Sequence, residues 1–167
     1  RPRPLRLGAA SRFGFAPYLD PGGMTIFYES EAGNFPEGRV ISMMHAGLSP
    51  PRLISDEGLQ NPQTGEPIFG EFPSAYYSSN RYMLTYHRTV NRISRIYVLT
   101  INLDGQILSG PHEVYRAPNG IRVFRPKVIG ANDGVLLFWS ESEPGEEMAS
   151  IKYHYLNADG VGVSDVV

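Results

Sequence analysis

Cysteine is absent from the 167 residues. That excludes disulfides, thiolate metal sites and a cysteine nucleophile, and it leaves the compartment open. No stretch approaches the 18 or so apolar residues that a membrane-spanning helix needs. There is no Asn-x-Ser/Thr sequon, no P-loop, no Gly-x-Ser-x-Gly elbow and no dinucleotide fingerprint. Charge of one sign is lacking too: 15 basic against 17 acidic residues leave a formal net charge of −2, with a pI near 6.1. Neither nucleic acid nor an anionic membrane surface is therefore an expected partner. Arg1, Arg3 and Arg6 are too sparse to form a basic arm. The four histidines (45, 87, 112 and 154) share no ligand spacing, so no metal and no cofactor is expected.

What is present is a folded composition, 41% hydrophobic and 19% charged, in which 18 glycines and 14 prolines are scattered through the chain. Long helical periodicity is missing. Short strands punctuated by turns are the natural consequence, and the fold class is all-β.

The strands recur as a verse. With Pro126 of "RPKVIGANDGVLLFWSE" placed over Pro73 of "FPSAYYSSNRYMLTYHR", Trp139 falls on Tyr86. With Pro17 of "APYLDPGGMTIFYESE" alongside, Tyr28 joins them after a two-residue shortening. In the second halves, Asp104-Gly105 matches Asp159-Gly160, each a hairpin signal. Each unit reads as four strands, covering residues 16–57, 72–116 and 124–167. Residues 1–15 look like a strand from a preceding unit. The run "VLLFW" (135–139) does not alternate, which predicts burial on both faces of the sheet. Four strands per unit and a period near 50 fit the blades of a β-propeller.

Pro126, Val128, Gly134, Trp139, Ile151, Leu156, Asp159 and Gly160 together resemble the degenerate repeats of bacterial β-propeller proteins. That resemblance implies a propeller of four-stranded antiparallel blades, often with a binding role, and many such proteins are exported. An extracellular or cell-surface location is what it implies here. It carries no catalytic residue across. Propellers typically close with four to eight blades, and three are counted in 1–167. The ring is expected to be incomplete unless it is extended by further blades of a longer chain or completed by a second copy. The absence of an initiator Met and an end inside a strand favour the first.

Function is expected on the blade end that carries the longer connections, "ESEAGNFPEG", "HRTVNRI" and "SESEPGEEMA". Glu29, Glu31, His87, Arg88, Glu141 and Glu143 cluster there, just past the second strands. Mixed carboxylates and a guanidinium beside Tyr and Trp rings suit a glycan or a protein ligand; the plainer interpretation is solvated loop charge. Trp139, Tyr28 and Tyr86 are expected as packing between blades. Two alternatives stand beside a binding module. One is a structural component of a larger assembly. The other is part of a glycoside hydrolase: glycosidases on five-bladed propellers are similar to the "AP-x-L-D … G-x-x-x-F-Y" of the first unit, and Asp20 would be one of their acids. No second acid at an equivalent position partners it.

Overall fold

Runs rich in Val, Ile, Leu and Tyr, broken by short polar turns, form eleven strands among the described residues: β1 (Ala10–Asp20), β2 (Gly23–Ala32), β3 (Phe35–His45), β4 (Arg52–Leu53), β5 (Glu71–Ser78), β6 (Arg81–Val90), β7 (Ile93–Asn102), β8 (Ile107–Arg116), β9 (Arg122–Ala131), β10 (Gly134–Ser142) and β11 (Ser150–Asn157). A computed structural model of the chain describes the backbone of residues 10–32, 35–45, 52–54, 70–146 and 149–167; side chains are described for 15–29, 40–45, 54, 70–146 and 149–167. Among the described residues there is no helix, and so none long and apolar enough to cross a membrane.

The strands form three antiparallel sheets, β1-β2-β3-β4, β5-β6-β7-β8 and β11-β10-β9. The first strands β1, β5 and β9 pack side by side, and successive sheets stack face on face from there. The chain is thus an open β-propeller segment of three blades. Asn102 and Asn157 hold matching turns of the second and third sheets. Each side-chain carbonyl accepts the N–H groups two and four residues on (Asp104 and Gln106; Asp159 and Val161), and each turn ends on a left-handed glycine, Gly105 or Gly160. The Asn157 oxygen, which superficially suggests a calcium loop, is used by its own backbone.

Two apolar layers hold the segment. Phe27, Ile41 and Met43 of the first sheet meet Tyr82, Leu84, Tyr86, Leu99 and Ile101 of the second. Met83, Ile96 and Val98 on the other side of the second sheet meet Val128, Val135, Leu137, Trp139 and Leu156 of the third. Each such side chain contributes roughly 1.5–3 kcal/mol on full burial. β6 lies between both layers, and every residue from Tyr82 to Arg88 is buried. Tyr28, Tyr86 and Trp139 are buried, and Tyr86 and Trp139 belong to the two layers between sheets.

Four features differ from the sequence-based expectation. β10 is fully buried on one face only: Val135, Leu137 and Trp139 are covered, whereas Leu136 and Phe138 are half-covered. Among the described residues no sheet stacks on its outer side, where Ile129, Ile151 and Tyr153 stand exposed. Second, residues 161–167 run beside β11 through bonds from Val163 to Tyr155 and between Val167 and Tyr153, yet they form only an isolated bridge and no strand. Third, the connection after β6 is a two-residue turn whose Asn91 and Arg92 are both left-handed, not a long loop. Fourth, β1 already begins at Ala10. Residues 1–9 of the strand expected before the first unit lie outside the described residues.

Register also corrects the proline alignment. All three first hairpins close with two-residue turns, at the pairs Asp20–Gly23, Ser78–Arg81 and Ala131–Gly134. Counting from them, Phe15 faces Tyr28, whereas Pro73 and Pro126 sit one step before the Ser74–Thr85 and Lys127–Phe138 pairs, beside Tyr86 and Trp139. Pro17 lies two residues further along, opposite Ile26.

Candidate functional site

Antiparallel order gives each blade two ends. The hairpin end holds the turns after β1, β5 and β9. The connection end holds the starts of those strands and the ends of β2, β6 and β10.

Asp20 sits at the hairpin end. Its side chain is fully covered, and it accepts from the Gly22 N–H at 2.8 Å, the Thr25 hydroxyl at 2.7 Å and the Tyr82 hydroxyl at 2.6 Å. Because Thr25 donates to Asp20, its oxygen accepts from His45 Nδ1 at 2.6 Å, which assigns the proton to that nitrogen. Burial pushes the Asp20 carboxyl up, but hydrogen bonds from Tyr82, Thr25 and Gly22 and the nearby His45 outweigh it, and the group rests below the usual carboxylate range. Burial and the same carboxylate drive the Tyr82 hydroxyl well above its ordinary value. This is a clasp between first and second blades. An acid held ionised, with its lone pairs filled, is poorly suited to donate a proton.

At the connection end, the residues singled out from sequence lie on strands rather than in loops, except Glu143, which follows β10. Glu29 is buried, and its carboxylate accepts the Phe72 N–H of the next blade at 2.9 Å. The Glu31 side chain lies outside the described residues. His87 is buried with Nδ1 3.4 Å from a Glu71 carboxylate oxygen and its ring 6.2 Å from that of Phe72. Arg88 is buried, its guanidinium 5.8 Å and 5.2 Å from the ring centres of Tyr86 and Tyr97, within cation–π range. Glu141 accepts from the Trp139 indole at 3.0 Å and from the Tyr115 hydroxyl. Burial, then that carboxylate, raises Tyr115. Glu143 is exposed, its N–H 3.4 Å from the Glu146 carboxylate.

The structure therefore brings Glu29 and His87 together through Phe72. It places Arg88 with Tyr86 and Tyr97, and Glu141 with Trp139 and Tyr115. Sequence reasoning missed Glu71, Phe72, Tyr115 and Glu113. Burial raises the Glu113 carboxyl, but Arg116 and Arg95, at 2.7 Å and 2.8 Å, bring it below its ordinary range. No group of three metal-ligating side chains occurs among the described residues.

Another missed feature is backbone. Phe72 and Arg125, each just before a proline, are left-handed, with φ of 55° and 48°. Both sit at register shifts near the start of a first strand. A residue before proline ordinarily stays extended, and a non-glycine residue at such a φ is uncommon. The one sequence signal for this was the recurrent proline.

No protein-family model matches the sequence, and no curated protein matches it. Solved structures do. A thermostable family-43 glycoside hydrolase superposes with a TM-score of 0.57 at 13% identity, over 89% of this chain and 52% of that one. The alpha-L-arabinofuranosidase from Lactobacillus brevis gives 0.58 at 14%, over 89% and 54%. The Cellvibrio cellulosa alpha-L-arabinanase, solved with arabinohexaose, gives 0.56 at 13%, over 96% and 58%. The chain spans about half the length of these structures. At such identities the likeness is one of fold, and it is to β-propeller glycoside hydrolases.

Proposed function

We propose that the chain is a glycan-recognising portion of a β-propeller, meeting its ligand at the connection end of the first strands. The observation that carries this is the paired bulge at Phe72 and Arg125. Left-handed non-glycine residues cost of order 1–3 kcal/mol each and persist where the surrounding structure uses them; bulges re-aim side chains and gather near functional sites. Here they place a half-buried ring and an exposed guanidinium at the starts of neighbouring first strands. A ring that stacks and a planar donor that reaches hydroxyls suit recognition of sugar rings. Glu29, His87, Arg88 and Glu141 hold that end in shape from beneath. Glu143 belongs to the same surface, and the backbone of Glu31 lies at the same end of β2.

The uncovered face of the third sheet, with Ile129, Ile151 and Tyr153, suits a further blade, from a longer chain or a second copy. Exposure outside the cell fits this role. Affinity electrophoresis through gels cast with arabinan or levan tests the proposal. Retardation that is lost in Arg125→Ala and Phe72→Ala is expected; a chain that runs unretarded in both gels, and binds nothing on a broad glycan array, overturns it.

A second reading, part of a glycoside hydrolase, draws on the fold likeness. Asp20, hydrogen-bonded in its ionised form, is a poor proton donor, and the described carboxylates of Glu29, Glu71 and Glu141 are engaged with other groups. Release of reducing sugar by the intact propeller, unaffected by Asp20→Asn at a temperature where the variant stays folded, is the outcome this reading requires.

A further inference from the structure

The hairpin end holds a second site, remote from the surface proposed above. A cleft of about 230 Å³ opens between the second and third blades. Met83 and Val135 supply apolar lining; Tyr76, Arg81, Thr100 and Asp133 supply polar groups.

Two observations mark it as a binding site and not a packing gap. The Thr100 hydroxyl is buried, with the residue 1% exposed, and it has no hydrogen-bond partner among the described residues. A buried hydroxyl left unpaired costs about 1–3 kcal/mol, and this one lines the cleft. The walls are also fixed across the two blades. The Tyr76 ring lies flush on Gly130, where a Cβ would come within 2.3 Å of it. The Arg81 guanidinium donates to the Ala158 carbonyl at 3.2 Å and stands 3.8 Å from Asp159.

Charge selects the ligand class. Arg81 is balanced by Asp159, and Asp133 adds a further carboxylate, so an anion gains nothing here. Both donors and acceptors line the cleft beside Met83 and Val135, in a volume below that of pockets for drug-sized ligands. We propose that this cleft binds a neutral single-ring polyol, a monosaccharide unit, one of whose hydroxyls pairs with Thr100.

The test is an NMR titration of the full chain with D-glucose, L-arabinose and D-fructose, and with inorganic phosphate as the anion control. Saturable millimolar shifts at the Ser79, Gly134 and Ala158 amides are expected with at least one sugar and none with phosphate. Thr100→Val removes only the unpaired hydroxyl, so stability should hold or rise while affinity falls about five- to tenfold. Thr100→Ser should keep binding, Asp133→Ala should weaken it, and Arg125→Ala should leave it unchanged. No saturable shift at these amides with any sugar, phosphate binding in their place, or undiminished affinity in Thr100→Val would each overturn the proposal.

Discussion

Replacing Tyr82 by Phe removes one oxygen from a side chain that is otherwise wholly buried between two blades. The ring contacts with Tyr18, Phe27 and Tyr77 remain, so packing is nearly unchanged. What disappears is a 2.6 Å hydrogen bond to an ionised carboxylate. Bonds to charged groups contribute about 1.5–3 kcal/mol. Asp20 keeps its bonds from Thr25 and Gly22, so the loss should not exceed that range. For a chain of this length each kcal/mol moves Tm by about 2–4 °C, so a fall of roughly 3–12 °C is expected. Urea denaturation at pH 7 should show a lower midpoint with an unchanged slope. The pH dependence is a sharper check. The Asp20 carboxyl lies below its ordinary value of 3.8 in the folded chain. Its contribution is therefore complete above that value and is lost as pH falls through the lowered folded pKa. Tyr82→Phe brings the folded pKa back toward 3.8, so the gap between parent and variant should narrow in acid. A gap under about 0.5 kcal/mol at neutral pH, the scatter of ordinary surface changes, or one that stays constant into acid, refutes the clasp.

Further consequences can be measured on the same chain. Glu141→Ala strands the indole N–H of buried Trp139 and takes a partner from half-buried Tyr115; a loss of about 1–3 kcal/mol for the unpaired indole donor should appear in urea melts, together with a changed emission of the single tryptophan. In Glu141→Gln an acceptor survives, so the stability loss should be smaller, while spectrophotometric titration should find Tyr115 ionising at lower pH than in the parent. Gly134→Ala drives a Cβ to 2.1 Å from the Leu156 carbonyl oxygen, which no rotamer change relieves, and should cost at least the 1–3 kcal/mol typical of overpacking. Gly120→Ala meets nothing within 4 Å and should cost only its left-handed φ, about 1–2 kcal/mol; equal losses in the two variants would show that the close approach at Gly134 is not rigid.

The sheet architecture was legible because it rests on short-range chemistry. Asp-Gly turns announce hairpins, and apolar runs announce buried strands, wherever they stand in the chain. The connection-end residues were legible as a group for the same reason: Glu29, His87 and Arg88 follow an apolar run directly. Their burial was not, because a charged residue that ends such a run looks solvated until the next blade is in place. The second blade's Phe72 amide helps to make a buried Glu29 tolerable, and that amide lies 43 residues away. Glu113 escaped notice because its bond to nearby Arg116 looks like an ordinary surface pair, while Arg95 reaches it across the β7–β8 pairing. The outer face of β10 was expected to be covered because composition reports what a strand can bury, not whether a neighbour is at hand.

The misplaced proline shows what the polar groups between blades accomplish. Strand side chains repeat every two residues, so sliding a strand by two leaves each apolar residue on its proper face. Aligning Pro17 with Pro73 made that slide, and no hydrophobic pattern objected. The folding chain faces the same ambiguity, because apolar burial is non-directional. Directional bonds resolve it. Each first strand is an edge of its own sheet, with N–H groups that its sheet does not pair. The Ala75 N–H is taken by the Tyr18 hydroxyl at 2.6 Å, and the Val128 N–H, at the equivalent register, by the Ser74 hydroxyl at 3.3 Å. With Glu29 on Phe72 and Tyr82 on Asp20, these bonds fit one stacking offset; a slip of two residues would break them together and bury their polar atoms unpaired, at about 1–3 kcal/mol for each. Apolar area thus holds the blades together, while a few hydroxyls and carboxylates decide where along one another they stop. That choice of offset sets the starts of β5 and β9, and with them Phe72 and Arg125, side by side.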